Sequence, residues 1–460
     1  MKPKLPARWN RLLTAASLGL APLLAGQATV IQVPEDQPTL QAAVQTAAAG
    51  DEINLAPGTH NDQVILENRD LTLSGRPGAV LRAWPGMQRS ARYGWSQIVE
   101  ATGGSLHLRD LTFEGEHLHE ALQPNYGFAA ISLNGTTTTI ERCGFRGFRG
   151  ELTLGLISSA AIVTWNPTNL GGGVMQVDVR GSTFVDNALA VWLTGDWMAH
   201  PAVLRTRFNI EDNTITGLGP AGPPTPYGLF IVGGAGGGIR RNRFADFRTN
   251  ADGPVRADAI LRYDMSGMSD TGHVVAPLQP LQIEDNHFEN NQEAIGLGLA
   301  NGSTIARNTF LGGDSNQPGY GVIVSGNGIA VTANRFTDLE SGLTLIGTND
   351  PRVGTVFGLA KNVTIDGNRF CDVTLPVLRE AGTTQINETG SLTCPVPVPP
   401  LTIAVAVRLS WPDDGESHVV ESADSLEGPW TALTAAPGLE DGLVVVSVET
   451  TAGRRYFRLR

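Results

Sequence analysis

The chain has 460 residues, a formal net charge of −12 and only 17% charged residues, with 41% hydrophobic. That apolar content excludes a disordered chain, and the acidic balance argues against nucleic acid and anionic membranes as partners. It also makes an anionic polymer a poorer partner unless a local basic groove or a bound cation intervenes.

Lys2, Lys4, Arg8 and Arg11 precede an apolar stretch from Leu12 to Ala25, followed by Gly26, Gln27 and Ala28. This is the order of a secretory signal over 1–28, with cleavage near Ala28. The stretch is short for a membrane span, and a retained anchor is the alternative reading. Export would permit disulfides. The three cysteines are Cys143, Cys371 and Cys394, with no Cys/His zinc spacing. Cys371 and Cys394 form a candidate bridge; Cys143 reads as a small buried thiol.

The mature chain opens with "VPEDQPTLQAAVQTAAAGDEINLAPGTH". Asp36 as N-cap, Pro38 near the start and Gly50 as the stop predict a helix over 38–48. Leu40, Ala43, Val44 and Ala47 form its apolar face. "EINLAPGTH" and "VILENRDLTLSG" follow as strands.

A repeat then runs through the middle of the chain: Ile or Val, two or three residues, Asn, one residue, then Phe. It includes "IRRNRF" (Ile239, Asn242, Phe244), "IEDNHF" (Ile283, Asn286, Phe288), "IARNTF" (Ile305, Asn308, Phe310), "VTANRF" (Val331, Asn334, Phe336) and "IDGNRF" (Ile365, Asn368, Phe370). In "IEDNTI" the aromatic position is Ile215; degenerate copies end in Phe113, Phe145 and Phe184. The shortest spacing is 22, from Phe288 to Phe310. Short apolar runs such as "ALAVWLTG", "YGLFIVGG" and "YGVIVSGNG" lie between copies and read as strands. A unit of this size holding two or three strands is one coil of a β-solenoid, with longer spacings carrying inserted loops. The aromatic is expected to point inward and stack on its neighbours. The Asn is expected in a tight turn, bonding to backbone and to the next Asn. The single helix would seal the open end of the first coil.

The ordered start and the Asn-x-Phe copies resemble right-handed parallel β-helix proteins of the pectate-lyase-like group. The resemblance covers roughly 30–394 and implies an all-β, right-handed parallel β-helix with an N-terminal capping helix. That domain is expected over 29–394, with a Pro-rich linker at 395–400 and a small C-terminal β module at 401–460. The module resembles the short β-sandwich modules that end many exported bacterial proteins.

The group hosts lyases, hydrolases, esterases, epimerases and non-catalytic binders. The signatures of its polygalacturonases and alginate epimerases are absent here, and nothing matches the paired aspartates of its pectin methylesterases. Three constellations remain. "FEGEHLHEALQPNYG" offers Glu114, Glu116, His117, His119 and Glu120; the histidines would share one strand face for a metal or for general base work, or lie on a solvated loop. The long insertion around 247–275 offers Asp258, Arg262, Tyr263 and Asp264: an arginine clamp for a carboxylate, a tyrosine acid or base, and carboxylates that act together or hold calcium. An ordinary charged surface loop is the alternative. "WLTGDWMAHP" offers Trp192, Asp196, Trp197 and His200 as a sugar contact, with core packing plus a turn as the somewhat favoured alternative.

The expected partner is a polysaccharide outside the cytoplasm, with the protein secreted, periplasmic or at the cell surface, and monomeric. Two functions stand: a non-catalytic surface or matrix protein that binds a carbohydrate polymer, and a polysaccharide lyase or glycoside hydrolase acting on acidic polysaccharide. The absence of a known catalytic set favours the first.

Overall fold

A computed structural model describes residues 28–92, 94–115, 127–149, 159–165, 175–195, 206–217, 219, 227–249, 257–263, 279–313, 319–347 and 359–394. In the C-terminal part it describes 405–412, 418–423, 428–433, 438–440, 443–450 and 456–460. The chain divides into two compact units between Cys394 and Pro395.

In the first unit, 32 strands hydrogen-bond into one continuous array, and the ladders between them are parallel. Each coil places a strand on three successive faces. Leu189–Thr194 lies in the first sheet, Thr206–Glu211 in the second and Thr214–Thr216 in the third. The next turn returns Tyr227–Val232 to the first sheet, with Val191 paired to Leu229. The fold is a parallel β-helix, as the repeat predicts. Side chains that alternate inward fill the lumen, so one core runs from Val33 to Phe370.

The repeated Phe is the axis of that core. Phe113, Phe145 and Phe184 stack, as do Phe244, Phe288, Phe310, Phe336 and Phe370, with the Phe310 and Phe336 rings 4.6 Å apart and 4° from parallel. Ile215 occupies the same register column between Phe184 and Phe244.

The repeated Asn closes the corner between the second and third sheets. Asn308 donates from Nδ2 to the Ile283 carbonyl at 2.8 Å and to Asn334 Oδ1 at 3.1 Å. Its own Oδ1 accepts from Asn286, and the chain of amides continues from Asn213 to Asn368. Ser182 takes the ladder position one coil earlier, bonding to the Asn213 side chain and to the Cys143 backbone. The residue before each ladder position takes a left-handed conformation: Arg142, Asp212, Arg241, Asp285, Arg307 and Ala333 all have φ between 52° and 59°. Every such corner is only two residues long. The chain entering and leaving the first sheet is not constrained in this way: Leu297 leads to Thr304, whereas Tyr263 leads to Leu281.

The cap helix is present as Leu40–Thr46, and Leu40, Ala43 and Val44 are buried against the first strands. Its N-cap is Thr39, not Asp36: Thr39 Oγ1 accepts from Ala42 N–H at 3.1 Å. Asp36 instead turns back to accept from the Gln32 N–H. The helix ends at Thr46, short of Gly50, because Ala47 is already extended.

Cys371 and Cys394 form a disulfide, and Cys143 is buried and free. Burial pushes the Cys143 thiol up to about 12, so it is an inert core group. Residues 1–27 lie outside the described residues. Among the described residues no helix is long and apolar enough to cross a membrane. The second unit holds two three-stranded antiparallel sheets, with Val420 and Val446 at its centre.

Candidate functional site

Outward-facing side chains of the first sheet build one continuous face. Along one register column stand Leu189, Tyr227, Asp258, Glu293 and Tyr320; along the next stand Val163, Trp192, Phe230, Leu261, Gly296 and Ile323. Strand pairing alone fixes these columns, because successive coils stack in register about 4.8 Å apart.

The face opens with aromatics. Trp95 meets Trp165 edge-on with ring centroids 5.1 Å apart, and Trp192 lies 6.0 Å from Trp95 and 5.6 Å from Phe230. Phe230 stacks on Tyr227 at 5.5 Å. These five rings cover Ala129, Ala160, Val163 and Leu189, forming a hydrophobic cluster separate from the lumen. Trp192 therefore packs half-buried on this outer cluster and not in the lumen, where the positions beside it belong to Val191 and Leu193. The Trp165 indole donates to Ser132 Oγ at 2.7 Å.

The face continues into carboxylates. Asp258 and Glu293 are direct register partners on adjacent coils, 4% and 7% exposed. At Gly296 the adjacent column loses its side chain, and both carboxylates lean over that gap: a Cβ there would sit 3.2 Å from Asp258 Oδ1 and closer still to Glu293 Oε1. At the opposite end of the aromatic run, Glu100 is held by Gln97 Nε2 at 2.6 Å and by Ser90 Oγ at 3.2 Å.

The structure separates the residues expected to act together. Asp258, Arg262 and Tyr263 belong to a strand, Asp258–Tyr263, rather than to a surface loop. Ala259 and Ile260 both face the lumen, so the alternation shifts phase there: Asp258 stands outward while Arg262 enters the lumen column of Ile231 and Leu297, where it is 1% exposed and donates to the Gln279 carbonyl at 2.8 Å. Asp264, His117, His119, Trp197 and His200 lie outside the described residues, as do Glu116, Glu120 and Asp196. Glu114 is buried and ion-paired to Arg82 at 3.0 Å and to Arg146, which accounts for it structurally. Among the described residues no group of three or more His, Cys, Asp or Glu is placed to hold a metal ion. Asp264, the expected calcium partner of Asp258, lies outside the described residues.

Sequence reasoning missed Glu293. The signal was there: Asp258-Ala259-Ile260 and Glu293-Ala294-Ile295 repeat the same acid-Ala-Ile start of a strand. Trp95 and Trp165 were missed because each sits at the border of a loop, away from the Asn-x-Phe copies.

A family model described as the right handed beta helix region matches residues 129–370. The chain belongs to this right-handed β-helix family. Its matched span covers every coil of the aromatic and acidic face except the Trp95 edge. Three solved structures are similar to the chain at low identity. The PL6 family alginate lyase AlyGC is 15% identical with a TM-score of 0.48, over 75% of this chain and 44% of that one. A mannuronic acid specific polysaccharide family 6 lyase from human gut microbiota is 12% identical with a TM-score of 0.48, over 78% and 82%. The Streptococcus pneumoniae surface protein and adhesin PfbA is 12% identical with a TM-score of 0.40, over 77% and 93%. No curated protein matches the chain.

Proposed function

We propose that this β-helix is an exported protein that binds a carbohydrate polymer along the outer face of its first sheet. The observation that carries the reading is the run of Trp95, Trp165, Trp192, Phe230 and Tyr227 along one face, with only the Phe128–Asn134 coil contributing no ring. Aromatic rings stack on the apolar faces of sugars. Carboxylates at both ends, Glu100 and the Asp258/Glu293 pair, supply acceptors for hydroxyls. From Gln97 to Asp258 the face spans five coil spacings, about 24 Å, a length suited to a polymer rather than a single sugar. The basic stretch followed by apolar residues before Ala28 supports export.

A second reading is favoured by the Asp258/Glu293 pair itself. Two carboxylates on one groove face are what acid–base cleavage of a glycosidic bond uses. In that case the aromatic run positions the chain and the pair performs the chemistry.

The test is a panel of neutral and uronic-acid polysaccharides added to the full chain. Tryptophan emission reports binding; reducing ends and ultraviolet absorbance of unsaturated uronate ends report cleavage. Binding without new ends, weakened about tenfold by Trp192→Ala, supports the first reading. New ends abolished by Glu293→Gln establish the second. No emission change with any polymer rules out the glycan face.

A further inference from the structure

The second sheet carries a feature that the first-sheet face does not use. Its strand Gly236–Arg240 reads GGGIR, and the chain there borders an open groove of about 260 Å³. Register explains the groove. Gln176, Arg207 and Gly236 share one outward column; Asp178, Asn209, Gly238 and Gln282 share the next. Two coils present polar side chains, and the third presents glycines, with Gln279 packed over Gly236 and Arg240 over Gly238. Gln279 and Pro280 close the far side.

The lining is polar and its donors and acceptors are already sorted. Asp178 Oδ1 accepts from Gln176 Nε2 and from Asn209 Nδ2, both at 2.7 Å. That use of the amide NH2 groups leaves Gln176 Oε1 and Asn209 Oδ1 as the remaining acceptors. On the other wall Arg240 lies over Gly238, where a Cβ would run into its guanidinium, and reaches Glu211, Glu284 and Gln282 Oε1. Gln282 keeps its NH2 as donor. Arg207 lines the same groove, is exposed, and has neither a hydrogen bond nor an ion pair among the described residues.

We propose that this groove is a second binding site, for one carboxylate-bearing sugar unit. Arg207 offers the paired N–H donors that match a carboxylate. The amide oxygens of Gln176 and Asn209 and the NH2 of Gln282 suit the hydroxyls of the same ring. The volume falls just below the range of drug-sized ligand pockets, which matches a single ring and not a longer segment. Asp178, Glu211 and Glu284 stand close behind the lining, so a multiply charged anion such as phosphate is disfavoured relative to a monocarboxylate. The site lies on a different face from the aromatic run and does not depend on it.

The experiment is calorimetric titration of the full chain with D-glucuronate, D-glucose and inorganic phosphate. Glucuronate is expected to bind, glucose to bind more weakly, and phosphate not to compete. Arg207→Ala is expected to weaken glucuronate at least about tenfold with an unchanged melting curve, since the side chain is exposed. Arg335→Ala, which removes a positive charge elsewhere on the rod, is expected to change nothing. The proposal is overturned by glucuronate binding that survives Arg207→Ala, by no binding at millimolar ligand, or by phosphate binding equally well.

Discussion

Asp258 and Glu293 occupy the same register position on adjacent coils, and both carboxylates lean over the backbone of Gly296. The gap exists only because the neighbouring outward column, filled by Phe230 and Leu261 on the preceding coils, has no side chain there. Gly296→Ala should therefore displace both acids while leaving the strand intact, because the nearest contact is the flexible end of Glu293. Glycan binding or cleavage is expected to fall at least about tenfold, with little change in melting temperature. An unchanged activity would show that the pair takes no part.

The amide ladder makes a stability prediction. The Asn308 side chain satisfies the Ile283 carbonyl, the Asn286 amide and the Asn286 backbone N–H at once. Asn308→Ala leaves several buried groups unpaired, each worth about 1–3 kcal/mol. Urea unfolding should show a large drop in midpoint, greater than for Asn301→Ala at an exposed turn.

The aromatic stack makes another. Phe310→Ala opens a cavity between Phe288 and Phe336 and is expected to cost about 3–5 kcal/mol. Phe310→Ile should cost distinctly less, since Ile215 fills the same column in the wild-type protein. Equal losses for the two would contradict the packing argument.

The left-handed corner residues predict a pH effect. Hydrogen bonds from Arg307 hold the Asp285 carboxyl below its ordinary value, and Arg142 does the same for Asp110; partial burial opposes both. A lowered folded value means the contribution is fully present above the unfolded aspartate value, about 4, and is lost as pH falls through the folded one. The melting-temperature difference between wild type and Asp285→Asn should thus be constant from neutral pH down to about 5 and shrink in stronger acid. These pairs are exposed, so the difference should be small and reduced by salt.

The coil period, the inward Phe and the corner Asn were all legible in the sequence because each repeats with one physical role. Asn spans from one corner to the next with both its oxygen and its NH2, where Ser182 manages the step with its hydroxyl alone, and an inward position holds Phe in eight of nine copies. The capping helix was legible too, but not its exact cap, since Thr39 and Asp36 both present suitable oxygens and only the backbone path decides. The candidate face was half legible. Asp258 was found, but Arg262 was grouped with it, because regular alternation puts residues four apart on one face and only the consecutive inward pair Ala259 and Ile260 sends Arg262 the other way. Glu293 and the Trp95–Trp165 contact are cross-coil relationships, and a single strand read alone carries no trace of them.

The two-residue corner between the second and third sheets has a further consequence. Because that turn never lengthens, additional chain between coils can enter only beside the first sheet, as the contrast between Leu297–Thr304 and Tyr263–Leu281 shows. The protein thus separates an invariant spine from an editable rim. New residues can be spliced around the aromatic and acidic face without changing the pitch of the rod beneath it, so specificity can be rewritten while the chassis stays the same.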